Sequence, residues 1–193
     1  MSPVALAEGD RNKLMDTTTI LLIRHGNTGI TDREQKPEDP LSPEGREEVE
    51  ALAESLKNVS IKAFYSSPYR RASGTAEILA KGQKVEVDSR LREIPLWASP
   101  KDLLEDERRL ELTKILVEAQ EGIEGVLENI EENHGGETVA LVCHGNIIRA
   151  TLGLTLEMSL ETVVRLETTT ASLTVIRTGR EGYRLRLFNG KSV

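Results

Sequence analysis

Five side chains in this sequence have the chemistry to hold and transfer a phosphoryl group. Arginine presents a planar donor fork that matches phosphate oxygens, and a neutral imidazole can attack phosphorus. A protonated carboxyl group can give its proton to the oxygen that leaves. Such a site works mainly through positioning and neutralisation of charge. The five side chains are Arg24, His25, Arg71, Glu93 and His144.

These residues lie at or just after the predicted ends of strands. The apolar runs Ile20–Ile23 and Thr138–Cys143 are typical of strands covered on both faces, and they end directly before Arg24 and His144. Because the carboxyl ends of parallel strands meet at one edge of a sheet, we expect the five side chains to converge there. Gly26 is expected to let a ligand approach the backbone or to adopt a positive φ.

Two further residues of the same types are assigned other roles. His134 follows a polar helix end and Gly135 fits a helix stop, so we expect His134 to cap the helix or to face solvent. Arg70 and Arg71 both lie near a predicted helix N-terminus, a position that favours anions. Neighbouring residues of a helix point about 100° apart, so both cannot face one pocket, and we expect Arg70 to face solvent.

Length and composition favour one globular domain in the cytoplasm. The chain has 193 residues, of which 38% are hydrophobic and 30% are charged. The net charge of −7 argues against a nucleic-acid-binding surface, and no signal peptide or membrane anchor is indicated. Cys143 is the only cysteine, which excludes an intrachain disulfide and suits a reducing compartment. We expect residues 1–16 to be a flexible extension and residues 17–193 to form a single domain.

The alternation of predicted strands and helices indicates an α/β fold, a three-layer α/β/α sandwich with a mainly parallel central sheet. Helices are predicted after Ser42 and after Ser67, each serine being an N-cap followed by proline. A longer helix is predicted from about Leu112 to Glu132, and the last two strands form a hairpin. A small helical cap is expected over residues 95–120.

Five segments of the chain match, in order, the motifs of one enzyme family. LLIRHGNT carries an Arg-His-Gly motif, LSPEG and YSSPYRRASGTA follow it, and LREI and LVCHGNIIR complete the set between about Ile20 and Arg149. On these segments the chain resembles the histidine phosphatase superfamily, in its phosphoglycerate mutase-like branch. The resemblance aligns Arg71, rather than Arg70, with the phosphate-binding arginine of the third motif.

The resemblance implies a role for each of these residues. It makes His25 the nucleophile that becomes phosphorylated, whereas the residues alone leave the choice between His25 and His144 open. It implies Glu93 as the proton donor and later the base. Arg24, Arg71 and His144 are implied as the phosphate pocket.

The resemblance carries over less fully on the substrate side of the predicted pocket. Thr31 stands where the family often has asparagine, and PLWASPKD stands in place of a Gly-x-Trp-Glu-Gly-like segment after Glu93. Trp97, in that segment, is expected to be a partly buried packing residue, with a wall of the substrate pocket as the alternative. Beside the two histidines, Asn27 and Gly145 are further candidate phosphate contacts.

We therefore expect a phosphatase that acts on a small phosphorylated metabolite through a phosphohistidine, without metal or cofactor. The sequence has no Walker-type glycine loop and no tight cluster of metal ligands. A cofactor-dependent phosphoglycerate mutase is the alternative, but about fifty residues between Glu93 and His144 leave room for only a small cap. The cap is rich in leucine and acidic residues, which indicates no strong demand for a polyanionic substrate.

An alternative of another class is a non-catalytic module that binds a phosphorylated ligand. Binding alone needs arginines but no proton donor, so the presence of His25, Glu93 and His144 argues against this alternative. As partners we expect the small phosphorylated substrate, no nucleic acid and no membrane, and a homodimer is left open.

Overall fold

The computed structural model describes residues 17–99 and 101–192, so the predicted N-terminal extension, residues 1–16, lies outside the described residues. Helices and strands alternate through most of this range, as the α/β prediction requires. In chain order the elements are β1 (Thr18–Arg24), α1 (Pro43–Ser55), β2 (Ala63–Ser66), α2 (Arg70–Ala80), β3 (Val85–Val87), α3 (Asp106–His134), β4 (Thr138–Cys143), α4 (Gly145–Thr155), α5 (Leu160–Val163), β5 (Leu173–Gly179) and β6 (Gly182–Gly190).

The strands form one six-stranded sheet in the order β3-β2-β4-β1-β5-β6. β1 pairs in parallel with β4, and β2 pairs in parallel with both β3 and β4, whereas β5 is antiparallel to β1 and β6. The mainly parallel sheet and the C-terminal hairpin predicted from the sequence are thus confirmed. Arg24 lies opposite Cys143 in the β1–β4 register, so the next residues, His25 and His144, leave the sheet side by side.

Helices cover both faces of this sheet. Along β1, Ile20 and Leu22 belong to one apolar core and Leu21 and Ile23 to the other, because successive side chains of a strand point to opposite faces. Residues of α3 and α4 complete the first core, and residues of α1 and α2 complete the second. This is the predicted three-layer α/β/α sandwich. In the described part of the chain, no helix is both long and apolar enough to cross a membrane.

The cap contains less helix before α3 than predicted. Apart from a 3₁₀ turn at Asp102–Leu104, the described residues between Pro95 and α3 are irregular. α3 then begins at Asp106, well before the predicted start at Leu112. Asp106 and Glu107 favour this earlier start, since acidic side chains in the first turn stabilise a helix N-terminus.

The start of α2 also differs from the prediction. Ser67 is not its N-cap, because the helix begins at Arg70 and Tyr69 occupies the cap position. The Ser67 hydroxyl instead lies 2.8 Å from His144 and accepts from the Tyr69 N–H at 3.2 Å. The later start places Arg71 in the first turn of the helix, at the edge of the sheet where His144 lies.

Gly26 is required by packing, and the expected positive φ is wrong, because Gly26 is not among the described glycines with positive φ. A methyl group at Gly26 would lie 2.5 Å from the Gly45 carbonyl oxygen and 2.7 Å from Val49 Cγ2. A methyl group at Gly45 would lie 1.9 Å from the Asn27 carbonyl oxygen. The first turn of α1, capped by Ser42 as predicted, therefore touches the loop that follows β1.

Substitution of Gly45 tests this close approach. We expect Gly45→Ala to lower the free energy of unfolding by about 3 kcal/mol, because the added methyl group meets backbone atoms that cannot move aside independently. Urea denaturation followed by circular dichroism measures the change. An unchanged denaturation midpoint would contradict the contact between the two segments.

Gly122→Ala, in α3, is the matched control for this substitution. A methyl group at Gly122 would lie 3.8 Å from the nearest atom, Cβ of Arg90, which is an ordinary contact. Alanine also forms helix more readily than glycine, so the control should raise the free energy of unfolding by about 0.5 to 1 kcal/mol.

Candidate active site

A cavity of about 480 Å³, called the main cavity below, opens at the carboxyl ends of the parallel strands. Arg24, His25, Arg71 and Glu93 line it. His144 is fully buried beside them, with its ring centre 5.1 Å from that of His25. The fold thus brings together the five side chains that the sequence predicts at strand ends. The remaining lining residues are Ile30, Thr31, Arg33, Glu34, Gln35, Pro37, Tyr69, Ile94, Pro95 and Trp97.

His25 is a neutral ring with one nitrogen that can react. Its Nδ1 lies 2.8 Å from the Gly26 carbonyl oxygen, which only accepts, so Nδ1 carries the proton. Nε2 then bears the lone pair, and Arg71 Nε donates to it at 3.2 Å. Burial lowers the pKa of His25 to about 3; Arg71 and Arg24 also lower it, and the Gly26 carbonyl opposes the shift. The ring is therefore unprotonated at neutral pH, as attack on phosphorus requires.

Arg71 links the reactive histidine to the loop after β1. It is only 3% exposed, and its Nη1 donates to the Lys36 carbonyl at 2.9 Å. Its guanidinium carbon lies 5.0 Å from the centre of the Tyr69 ring, which provides a cation–π contact. Burial lowers the pKa of Arg71, and Glu93 opposes the shift. The guanidinium is thus fixed with its Nε directed at His25 Nε2.

Arg24 is held by a backbone carbonyl and has an unused donor. Its Nη1 donates to the Thr168 carbonyl, whereas its Nε is buried without a hydrogen-bond partner. Gly145, at the start of α4, permits the close approach of Thr168, because a methyl group there would lie 2.9 Å from Thr168 Oγ1, whereas its 3.6 Å distance from the Arg24 guanidinium would be an ordinary contact. Burial lowers the pKa of Arg24, and Glu93 opposes the shift. The predicted phosphate contact Gly145 therefore lies directly against Arg24.

His144 is oriented by the hydroxyl group that the sequence suggested as a helix cap. Ser67 Oγ lies 2.8 Å from His144 Nε2 and accepts from the Tyr69 backbone N–H. The hydrogen of the Ser67 hydroxyl group has no other acceptor among the described contacts, so we infer that it is donated to His144 Nε2. His144 then carries its ring proton on Nδ1. This Nδ1 is buried without a partner. Burial lowers the pKa of His144, with a further contribution from His25, so the ring is neutral.

Glu93 is a carboxyl group that retains a proton near neutral pH. Burial raises its pKa to about 7, against the opposing effects of the Ile94 N–H, 3.2 Å from Oε1, and of Arg24 and Arg71. Asn146, in the first turn of α4, donates to the Ile94 carbonyl at 3.0 Å and fixes this segment beside His144. Glu93 can therefore donate a proton into the cavity and later take one back.

Two predicted residues have positions that differ from the expectations. Asn27 is exposed, its Oδ1 accepts from the Gly29 N–H at 2.7 Å, and it is not among the residues that line the main cavity. Its position gives no support to a phosphate contact. Trp97 is 58% exposed and lines the main cavity, so the expected packing role is wrong and the alternative, a pocket wall, describes it.

Arg70 and His134 lie outside the site, as the sequence indicates. Arg70 is exposed, and His134 ends α3 with its ring nitrogens near Glu137, at 3.0 Å, and the Tyr65 hydroxyl, at 3.2 Å. Within residues 17–99 and 101–192, no group of three or more His, Cys, Asp or Glu side chains is arranged to hold a metal ion.

Sequence reasoning missed the residues that hold the reactive groups in place. Ser67 orients His144, Asn146 fixes the segment of Glu93, and the Thr168 carbonyl holds Arg24. Their position in the sequence could have identified two of these residues, since Ser67 lies in the same motif as Arg71 and Asn146 lies in the same motif as His144. Thr168 contributes a backbone oxygen, which no side-chain pattern identifies.

A smaller recess of about 230 Å³ adjoins the main cavity and shares two of its residues. We call it the side recess. The two shared residues are Arg24 and Trp97. Its lining residues are Arg24, Trp97, Gly145, Asn146, Arg149, Glu167 and Thr168.

Comparison with known proteins finds relatives of two activities. A family model described as "Histidine phosphatase superfamily (branch 1)" matches residues 20–191. The chain is 32% identical over 182 residues to a 2,3-bisphosphoglycerate-dependent phosphoglycerate mutase of Thermoplasma acidophilum, a match that covers 81% of this chain and 85% of the relative. It is 28% identical over 153 residues to phosphoserine phosphatase 1 of Hydrogenobacter thermophilus, covering 68% and 72% of the two chains.

Similarity also extends to solved structures. A mycobacterial glucosyl-3-phosphoglycerate phosphatase superposes with a TM-score of 0.73 at 25% identity, over 89% of this chain and 98% of that chain. A superposition of this extent supports the same fold over almost the whole described range.

The hydrogen bond from Ser67 to His144 predicts the tautomer of the histidine. At pH 7 we expect ¹⁵N spectra to show a protonated Nδ1 and an unprotonated Nε2 in His144. Ser67→Ala removes the donor to Nε2 and should produce a mixture of tautomers, whereas Ser67→Thr should preserve the native form.

Ser66→Ala provides the matched control for this measurement. Ser66 is as fully buried as Ser67, but its hydroxyl donates to the Ser67 carbonyl rather than to His144. Its removal should leave the ¹⁵N shifts of His144 unchanged. A native spectrum with the proton on Nε2 would show that the hydrogen bond runs in the opposite direction.

Proposed function

The chain belongs to the histidine phosphatase superfamily (branch 1), and we propose that it is a phosphatase that hydrolyses a small phosphorylated metabolite through a phosphohistidine at His25. The observation that carries this proposal is the pair of buried, unpartnered nitrogen atoms beside His25. Among the described residues, only three buried side-chain polar atoms lack a partner, and two are Arg24 Nε and His144 Nδ1. The oxygens of a phosphoryl group at His25 Nε2 would supply the acceptor that Arg24 Nε lacks, and the one that His144 Nδ1 lacks in the tautomer inferred above.

In the first step of the proposed reaction, His25 Nε2 attacks phosphorus and the bond to the ester oxygen breaks. The lone pair on Nε2 is available because Nδ1 holds the ring proton against the Gly26 carbonyl. Arg24 and Arg71 neutralise charge on the phosphoryl oxygens while the phosphoryl group moves from the ester oxygen to His25 Nε2. Glu93 gives its proton to the departing ester oxygen, which leaves as an alcohol.

In the second step, water hydrolyses the phosphohistidine. Glu93, now a carboxylate, takes a proton from the attacking water and returns to its starting state. The bond between phosphorus and Nε2 breaks, which restores neutral His25 and releases inorganic phosphate. No metal or cofactor enters the proposed reaction, because buried arginines already provide the positive charge that the phosphoryl oxygens require.

A phosphoglycerate mutase is the second candidate, since one relative carries that name. A mutase must retain its phosphorylated intermediate and exclude water until the phosphoryl group returns to another oxygen. The described cap has only a 3₁₀ turn before α3, and Trp97, in the cavity wall, is 58% exposed. This open wall favours hydrolysis by water over retention.

Catalysis is also favoured over a module that only binds phosphorylated ligands. Binding requires the arginines, but it requires neither a deprotonated Nε2 on His25 nor a carboxyl group whose pKa is raised to about 7. We further propose a cytoplasmic location, a single domain over residues 17–193 with a cap near 95–120, and no nucleic-acid partner. The homodimer also stays a prediction.

Labelling with a ³²P-phosphomonoester tests the nucleophile. Wild-type protein should acquire an acid-labile label, and His25→Ala should lose both this label and at least about 10³-fold of the hydrolysis rate. His134→Ala is the matched control, because His134 lies outside the cavity, and it should retain both. Persistent labelling of His25→Ala would exclude His25 as the nucleophile.

The pH dependence of hydrolysis tests Glu93 as the acid. The carboxyl group must be protonated to act, so kcat/KM for an alkyl phosphate should fall as the pH rises through about 7. The p-nitrophenyl ester should lack this loss, because its leaving group departs without a proton. Glu93→Gln should slow the alkyl ester by at least about 100-fold and the p-nitrophenyl ester much less. Equal losses with both esters would argue against an acid role.

Chelation tests the proposed independence from metal. Hydrolysis of p-nitrophenyl phosphate should proceed at an unchanged rate after dialysis against EDTA, because arginines carry the charge that a metal would otherwise supply. A loss that added Mg²⁺ or Zn²⁺ restores would overturn this part of the proposal.

A further inference from the structure

Outside the phosphate-binding pair, the described cations that line the main cavity and the side recess are already bound by other groups of the protein. From this we infer that the substrate is a phosphomonoester whose remaining part carries no carboxylate and no second phosphate. The inference rests on the proposed function and specifies its substrate class. The cations in question are Arg33 in the main cavity and Arg149 in the side recess.

Arg33 is neutralised by a bidentate pair with Asp39. Its Nη1 and Nη2 donate to the two Asp39 oxygens at 2.8 and 2.7 Å, and Nη1 also donates to the Glu34 carbonyl at 2.9 Å. Asp39 is buried and also accepts from the Lys36 N–H at 2.6 Å. The hydrogen bonds from Arg33 and Lys36 lower the pKa of Asp39 to about 2, so it remains an anion. The charge of Arg33 is thus already balanced by Asp39, which weakens its attraction for a substrate carboxylate.

Each of the three nitrogens of the Arg149 guanidinium group donates to another group of the protein. Nε donates to the Leu166 carbonyl at 2.5 Å, Nη1 to Asn146 Oδ1 at 3.0 Å and Nη2 to the Val164 carbonyl at 3.2 Å. These bonds hold the segment after α5 against α4 and orient Asn146. One N–H of each Nη is outside these three bonds, and Glu167 lines the same recess, so a ligand anion there would compete with Glu167 for Arg149.

The remaining wall disfavours a second anion and offers an apolar surface. Glu34 adds a negative charge to the main cavity and Glu167 adds one to the side recess. Ile94, Pro95 and the exposed ring of Trp97 provide the apolar side. A neutral or cationic body that packs on Trp97 would bury this ring, whereas an added carboxylate would meet like charge.

Two esters with the same three-carbon skeleton test the inference. Glycerol 3-phosphate and 3-phosphoglycerate differ in whether the terminal group is an alcohol or a carboxylate. We expect kcat/KM to be at least about tenfold higher for glycerol 3-phosphate, because Asp39 already neutralises Arg33, the described cation of the main cavity outside the phosphate-binding pair. Equal values, or a preference for 3-phosphoglycerate, would overturn the inference.

A charge reversal in the cavity wall provides a second test. Glu34→Lys places an unpaired cation in the wall and should raise the relative kcat/KM for 3-phosphoglycerate at least about fivefold. Glu38→Lys makes the same change in net charge in the same loop, but Glu38 does not line the cavity. This control should leave the preference unchanged. Equal gains in the two variants would mean that the effect comes from the overall field of the protein.

Trp97→Ala tests the apolar side of the cavity. It should raise KM for 1-naphthyl phosphate about fivefold with little change in kcat, and it should affect glycerol 3-phosphate by less than about twofold. Trp97→Phe should restore most of the affinity. An equal effect on both esters would contradict the proposal that the part of the substrate outside its phosphate group packs on the Trp97 ring.

The outcomes separate this inference from the function on which it rests. If 3-phosphoglycerate is the better substrate and the phosphohistidine still forms, the phosphatase stands and the inference about its substrate is wrong. If neither these esters nor p-nitrophenyl phosphate is hydrolysed and no phosphohistidine forms, the proposed function fails and the inference fails with it.

Discussion

The parallel register of β1 and β4 is the constraint on which the site depends. Arg24 and Cys143 lie opposite each other, so His25 and His144, the next residues of the two strands, lie side by side at the end of the sheet. A slip of one residue would turn every side chain of β1 to the other face. The apolar side chains of β1 oppose this slip, because they alternate between two separate cores. The packing that fixes the register of β1 therefore also fixes the distance between the two imidazole rings.

Burial produces opposite protonation states in neighbouring groups of this site. Removal from water disfavours charge, which lowers the pKa of His25 to about 3 and raises that of Glu93 to about 7. In water the carboxyl group is the stronger acid by about two pK units. Inside the protein this order is reversed, so an unprotonated base and a protonated acid can coexist near neutral pH. Arg24 and Arg71 keep the reversal at Glu93 moderate, because their charges favour the carboxylate.

Sequence patterns predict those parts of the site that depend on local structure. His25 and His144 each follow an apolar run, and the end of such a run is visible within a few residues. The patterns do not identify Ser67, because a serine before proline is equally suited to a helix cap and its partner lies 77 residues away. They also do not predict the contact of Gly26 with α1 or the exposure of Trp97, since both depend on how distant segments pass each other.

Arg71 belongs to two parts of the molecule at once. Its Nε is directed at His25, and its Nη1 holds the Lys36 carbonyl in the loop that forms one wall of the main cavity. The Arg70 N–H donates to the Pro37 carbonyl at 2.8 Å, which adds a second hydrogen bond between the start of α2 and this loop. Displacement of this loop would free a guanidinium donor, and an anion at that donor would in turn favour the displaced loop. If Arg71 binds the phosphoryl group as proposed, loop position and phosphate affinity are reciprocally linked through this one side chain.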